Sequence, residues 1–128
     1  DFGERRIGLA ATDFTGSITV PLPALIRTND RQSLDELADL AKERQTEVVV
    51  FGLPLGTHGQ VGPRAQRTQE YVQAFRKVAP CEVATIDETH TTDEAHERLK
   101  AGGMKAAKRK QRADSVAAII ILERYLRA

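Results

Sequence analysis

Three acidic residues, far apart in the sequence, each stand where an element of an α/β fold would present a carboxylate. Asp1 opens the run Asp1-Phe2-Gly3-Glu4-Arg5-Arg6-Ile7-Gly8. Glu88 follows the apolar run 81–86, inside Asp87-Glu88-Thr89-His90-Thr91-Thr92, and Asp114 begins the apolar stretch that closes the chain. Carboxylates gathered at one edge of a sheet bind hard divalent cations or carry out acid–base chemistry. The rest of the sequence favours the cations, acting on a phosphodiester.

Each acid also has a plainer explanation. Asp1-Phe2-Gly3 alone describes a strand end followed by a glycine turn. Thr91 with Glu94 forms a capping box, which accounts for the threonines but not for two consecutive acids after an apolar strand. Adjacent strand residues point to opposite faces, so only one of that pair can join Asp1; Glu88 is chosen and Asp87 is the alternative. Asp114 suits a helix N-cap. It also shares a helical face with Ala118, Ile121 and Tyr125, which directs it toward the sheet, where a buried charge needs a partner.

Basic residues lie close to these acids in the chain. The loop Leu53-Pro54-Leu55-Gly56-Thr57-His58-Gly59 leads into a helix with Arg64 and Arg67 in its first turns. A helix N-terminus offers free N–H groups to a phosphate, and arginines reinforce it. The loop lacks the Lys-Ser/Thr ending of an ATP-binding P-loop. His58 is either a substrate contact or a surface histidine, and His90 and His96 are spaced wrongly for a metal pair. Lys105, Lys108, Arg109, Lys110 and Arg112 crowd before Asp114, as a solvated face or a strip for phosphates.

The elements that must position these residues follow from periodicity. Residues 7–12 and 17–22 are β-prone and separated by Asp13-Phe14-Thr15-Gly16, a hairpin signal. Ser33, with Glu36 three residues on, caps a helix to about Arg44 whose apolar stripe is Leu34, Leu37, Leu40 and Ala41. Residues 47–52 read as a strand buried on both faces. Gly62-Pro63 starts a helix to about Val78, residues 81–86 form another strand, and a short helix spans about 93–101 before Gly102-Gly103. The last helix runs from Asp114 to about Arg127 and is apolar nearly all round. This order implies a mixed α/β sheet with helices on both faces.

The 128 residues make one domain, spanning 1–128, with 41% hydrophobic and 29% charged residues. No apolar run approaches the roughly 20 residues of a membrane span. Cys81 is the only cysteine, which excludes an internal disulfide or a cysteine zinc site and fits a reducing cytoplasm. The chain opens without Met and without the strand expected to lead into Asp1, so a few upstream residues are expected and the first strand is truncated.

Four motifs occur in order along nearly the whole chain: Asp-Phe-Gly-Glu-Arg-Arg-Ile-Gly, Phe-Gly-Leu-Pro-Leu-Gly-Thr-His-Gly, Asp-Glu-Thr-His-Thr-Thr, and Ala-Asp-Ser-Val-Ala-Ala-Ile-Ile-Ile-Leu-Glu-Arg-Tyr-Leu. Together they resemble the YqgF (RuvX) family, Holliday-junction-resolvase-like proteins of bacteria with an RNase H-like, RuvC-like fold. The resemblance implies a five-stranded mixed sheet, its first three strands antiparallel, flanked by helices on both faces. It also implies that Asp1, Glu88 and Asp114 bind magnesium or manganese. Where the family has Arg after the Asp-Glu pair this chain has Thr89, and Arg5, Arg6 or the basic run before Asp114 would substitute. Family members are linked to maturation of the 5′ end of the 16S ribosomal RNA precursor, and kinship to RuvC suggests resolution of branched DNA.

The expected activity is a metal-dependent nuclease. Two cations about 4 Å apart would activate water and stabilise the leaving oxygen. Arg64, Arg67 and the run through Lys108, Arg109 and Lys110 would hold the nucleic-acid backbone. Ribosomal precursor particles are expected partners; a resolvase would favour a homodimer, and RNA processing leaves a monomer sufficient. The competing reading is a non-catalytic RNA-binding ribosome-assembly factor. A phosphotransferase would need two such domains around its nucleotide, which this length cannot supply.

Overall fold

The computed structural model describes residues 1–88, 97 and 106–128, with residues 106–114 described by their backbone alone. Two strands come first, β1 (Arg6–Thr12) and β2 (Thr19–Ile26), followed by helix α1 (Asp30–Glu43). Then come β3 (Val48–Leu53), helix α2 (Pro63–Arg76), β4 (Glu82–Asp87) and helix α3 (Ala106–Arg127). The mixed α/β class expected from the sequence is what the molecule has. Among the described residues there are four strands in two two-stranded ladders, β1–β2 antiparallel and β3–β4 parallel.

The hairpin turn at Asp13–Gly16 forms as expected, but β2 continues past Leu22 to Ile26. Pro21 and Pro23 suggest a strand end, yet proline is tolerated in an edge strand, and β2 pairs with β1 along one side. Its extra residues match Arg6 and Ile7 at the start of β1.

Helix α1 is capped by Asn29, whose side chain accepts from the Gln32 N–H at 2.8 Å, rather than by Ser33. Both Asn29-x-x-Gln32 and Ser33-x-x-Glu36 fit a capping pattern, and tertiary packing chooses between them. Ser33 is buried, and its hydroxyl pairs with the Tyr71 hydroxyl at 2.7 Å. Helix α2 starts at Pro63 behind Gly62, as expected, and ends at Arg76 instead of Val78.

The last helix begins at Ala106, so Asp114 is an interior helical residue and not the N-cap that its type suggests. Residues 106–113, Ala-Ala-Lys-Arg-Lys-Gln-Arg-Ala, are strong helix formers that extend the helix beyond its apolar part. The helix expected at 93–101 lies, Glu97 apart, outside the described residues, as do Thr89, His90, His96 and Lys105.

Alternation along the strands divides the core between two faces. On one face Phe2, Ile7, Leu37, Phe51, Tyr71, Val72 and Phe75 pack together beneath α1 and α2. Phe51 meets Phe75 edge-on at 5.6 Å between ring centroids. Its neighbour Gly52 points the other way, toward Ile121 of α3. Ala117 and Ile120 of α3 form a second buried cluster with Val116. Helices therefore cover both faces.

Candidate active site

Glu88 stands one residue past the end of β4. Its N–H donates to the Leu53 carbonyl at 3.0 Å, which carries the β3–β4 pairing one step further. The residue is only 6% exposed. Its side chain lies over Gly52: a Cβ added there would come within 2.7 Å of the Glu88 Cβ, 3.0 Å of its carboxyl carbon and 2.6 Å of Ile121 Cδ1. Any larger residue at 52 would displace the carboxylate or the helix above it. Asp87, the alternative acid, is exposed, and its carbonyl accepts from Arg124 Nη1 at 3.2 Å. Of the two acids it is Glu88 that turns inward.

Asp1 reaches the same face through a short antiparallel pairing. Its amino group donates to the Gly8 carbonyl at 2.8 Å, and its carbonyl accepts from the Gly8 N–H at 2.9 Å. Phe2 bridges Ile7 in the next step of that ladder. Since Phe2 and Ile7 both enter the core under α1 and α2, alternation puts Asp1 and Gly8 on the opposite face, the one that carries Gly52 and Glu88. Asp114 occupies the helical face of Ala118 and Ile121, seven residues and so about 10 Å along the axis before Ile121. Ser115 beside it donates to the Leu22 carbonyl at 3.4 Å. The Asp114 side chain lies outside the described residues.

These three acids offer oxygen donors only, the set that suits magnesium or manganese rather than soft metals. A carboxylate as buried as Glu88 is also where a cation would offset the cost of holding a charge away from water. Among the described residues no three His, Cys, Asp or Glu side chains converge on a common point.

The basic candidates separate in space. Arg5, in the turn after Gly3, and Arg6, the first residue of β1, are exposed. His58 is exposed, and its N–H donates to Gln60 Oε1 at 2.9 Å. Arg64 is exposed in the first turn of α2. Lys108, Arg109 and Lys110 have their backbone in the opening turns of α3. Arg67 differs from these: its Nη2 donates to both carboxylate oxygens of Asp30, at 2.9 and 2.8 Å. Burial alone would push the Asp30 carboxyl up, but hydrogen bonds and charge from Arg27 and Arg67 outweigh it and hold the group below its ordinary value.

Sequence reasoning missed Arg27. It belongs to no motif and sits in the connection between β2 and α1, where nothing local marks it. Only Asp30, three residues on, hints at a partner. In the folded chain its guanidinium lies 4.6 Å from the Phe2 ring centroid, beside the turn that carries Asp1.

The model of one protein family, described as "RuvX: Holliday junction resolvase", matches residues 1–128. A protein of Chloroflexus aggregans named "Putative pre-16S rRNA nuclease" is 41% identical over 128 residues, covering all of this chain and 90% of the relative. Proteins of the same name from Synechococcus elongatus and Clostridium tetani are 34% and 33% identical over 126 residues. Each covers 98% of this chain, which spans 85% and 91% of their respective lengths. Among the described residues no helix is long and apolar enough to cross a membrane.

Proposed function

The chain belongs to the RuvX Holliday junction resolvase family, and from that premise we propose that it is a divalent-metal-dependent nuclease of structured nucleic acid. Its substrate is the 16S ribosomal RNA precursor, the RNA in the names of its relatives, cut in its 5′ leader, or a branched DNA junction. The observation that carries this reading is the inward-turned Glu88, 6% exposed over Gly52 and on the face to which strand register assigns Asp1.

Asp1, Glu88 and Asp114 would hold magnesium or manganese, as a pair of ions in keeping with two-metal phosphodiester chemistry. When bound, the metal supplies charge neutralisation at the phosphate and a water made acidic enough to attack it. The chain's own groups bind and orient. Gly52 leaves the space that Glu88 occupies. Arg64, exposed beside the free N–H groups that open α2, contacts a backbone phosphate. Lys108, Arg109 and Lys110 stand at the positive end of the α3 dipole, where cations are disfavoured by about 0.3–1 kcal/mol each and an incoming anion is welcome. Such contacts give affinity without sequence preference. Arg5, Arg6 and His58 complete the binding surface.

The same reading includes one domain over residues 1–128 and a five-stranded RNase H-like sheet. A strand entering Asp1 would run along the edge of β1 that Gly8 already uses. Among the described residues β3 pairs only with β4, so that strand would also close the gap between the two ladders. The protein acts in the cytoplasm on ribosomal precursor particles, as monomer or homodimer.

The test is cleavage of a labelled precursor leader and a synthetic four-way DNA junction, with magnesium or manganese, beside an Asp114→Asn control. Metal-dependent cutting that is lost in the control is expected, and the preferred substrate fixes the class. Binding without cutting, indifferent to the substitution, would sink the catalytic reading in favour of an assembly factor.

A further inference from the structure

Arg27 closes the turn that carries Asp1. Its backbone N–H donates to the Arg5 carbonyl at 2.9 Å. Its Nη1 donates to the Gly3 carbonyl at 3.0 Å and to the Glu4 carbonyl at 2.6 Å. One residue therefore serves three successive carbonyls of one turn. Its guanidinium covers one side of the Phe2 ring, and Tyr71 stacks against the same ring at 4.4 Å between centroids. Arg27 is itself held. Nη2 donates to Asp30, whose carboxylate also accepts from Arg67, and the Arg67 guanidinium lies 5.3 Å from the Phe2 centroid. The Arg27 side chain is 11% exposed, so this is an interior clamp and not a surface cation.

We propose that Arg27 is a positioning residue. By fixing the Gly3, Glu4 and Arg5 carbonyls and the Phe2 ring, it holds the Asp1 carboxylate on the Glu88 face before metal or substrate arrives, and Asp30 with Arg67 holds Arg27. The assignment rests on the reading of Asp1 and Glu88 as metal ligands. Geometry is what such a site demands, because a misplacement of about 1 Å costs on the order of a hundredfold in rate. Lysine cannot substitute: a single compact ammonium lacks both the planar fork and the flat face that Arg27 uses.

The experiment compares wild type with Arg27→Lys and Asp30→Asn in the full chain, by three readouts. These are amide exchange at Gly8, whose N–H donates to the Asp1 carbonyl, Mn2+ affinity by calorimetry, and kcat and KM on the precursor leader. For Arg27→Lys we expect Gly8 exchange and the Mn2+ dissociation constant each to rise about tenfold. We expect kcat to fall about 10- to 100-fold while KM stays within about twofold. Asp30→Asn moves the same readouts less, and decides the matter if Arg27→Lys does not fold. A folded Arg27→Lys with wild-type exchange and Mn2+ affinity overturns the assignment, as does a rise in KM with kcat unchanged, the mark of a substrate contact. Wild type that neither binds Mn2+ nor cuts sinks the nuclease reading and this assignment with it. Wild type that does both, beside an indifferent Arg27→Lys, sinks the assignment alone.

Discussion

Strand β1 has a short turn at each end, and the two are held by different means. The turn before it, Gly3 to Arg5, is bound by Arg27 from just past the end of β2 and anchored by Phe2, which is 6% exposed. The turn after it, Asp13 to Ser17, is held by its own residues. Asp13 accepts from the Thr15 hydroxyl at 2.7 Å and from the Ser17 and Ile18 N–H groups at 3.3 Å. Its aromatic residue, Phe14, is fully exposed. A turn made by local hydrogen bonds can form anywhere and carries little of the fold. A turn made by distant partners forms only with the rest of the molecule, so it can hold a catalytic group in register.

The contrast is broken most sharply through its two phenylalanines. Phe2→Ala should cost about 3–5 kcal/mol in urea unfolding, as for other buried aromatics, whereas Phe14→Ala should stay within about 0.5 kcal/mol. Equal losses would mean that the first turn is no better anchored than the second. Backbone crowding gives the next effect. A Cβ at Gly3 would lie 2.6 Å from the Arg6 carbonyl oxygen, so Gly3→Ala should lose about 1–3 kcal/mol. Thr15→Ala, which removes two exposed hydrogen bonds, one given to Asp13 and one accepted from the Ser17 N–H, should lose about 1 kcal/mol or less in the same titration.

The smallest effect is electrostatic. The Asp30 carboxyl is held below its ordinary value of 3.8, so the unfolded chain takes up that proton first as pH falls. The stability that Asp30 contributes is whole above about pH 4 and disappears as pH drops through the lower folded value. Its side chain is 42% exposed, so water and salt screen much of the effect. Asp13 is lowered too, chiefly by the Thr15 hydroxyl. Unfolding between pH 5 and 2 should therefore become less pH-dependent in Asp30→Asn than in wild type. High salt should shrink that difference by its Coulombic share and leave the share due to the Arg27 and Arg67 hydrogen bonds; an Asp30→Asn variant with the wild-type pH dependence would show that the carboxylate contributes nothing.

Much of the frame was legible in the chain. The apolar run at β3, the strand before Asp87 and the Gly62-Pro63 start of α2 are local signals that packing does not overrule. The choice of cap for α1 was not legible, because Asn29 and Ser33 offer equivalent patterns and only the Tyr71 hydroxyl separates them. The start of α3 was missed because an apolar pattern marks the buried part of a helix, while the Ala, Lys and Arg residues before it extend it by propensity alone.

For the candidate site, the residue types alone carried the proposed chemistry. The sequence supplied three carboxylates, their places after strands or in a helix, and motifs sufficient to find the family. Alternation said that only one of Asp87 and Glu88 could face inward. Tertiary structure decided which one, because the glycine that makes room for Glu88 lies on a neighbouring strand and the helix that covers it comes from the end of the chain. It also decided that Arg67 turns to Asp30 and that Arg27 closes the first turn. Both are contacts between residues more than twenty positions apart, and no local pattern encodes a distance that only folding brings to a few ångströms.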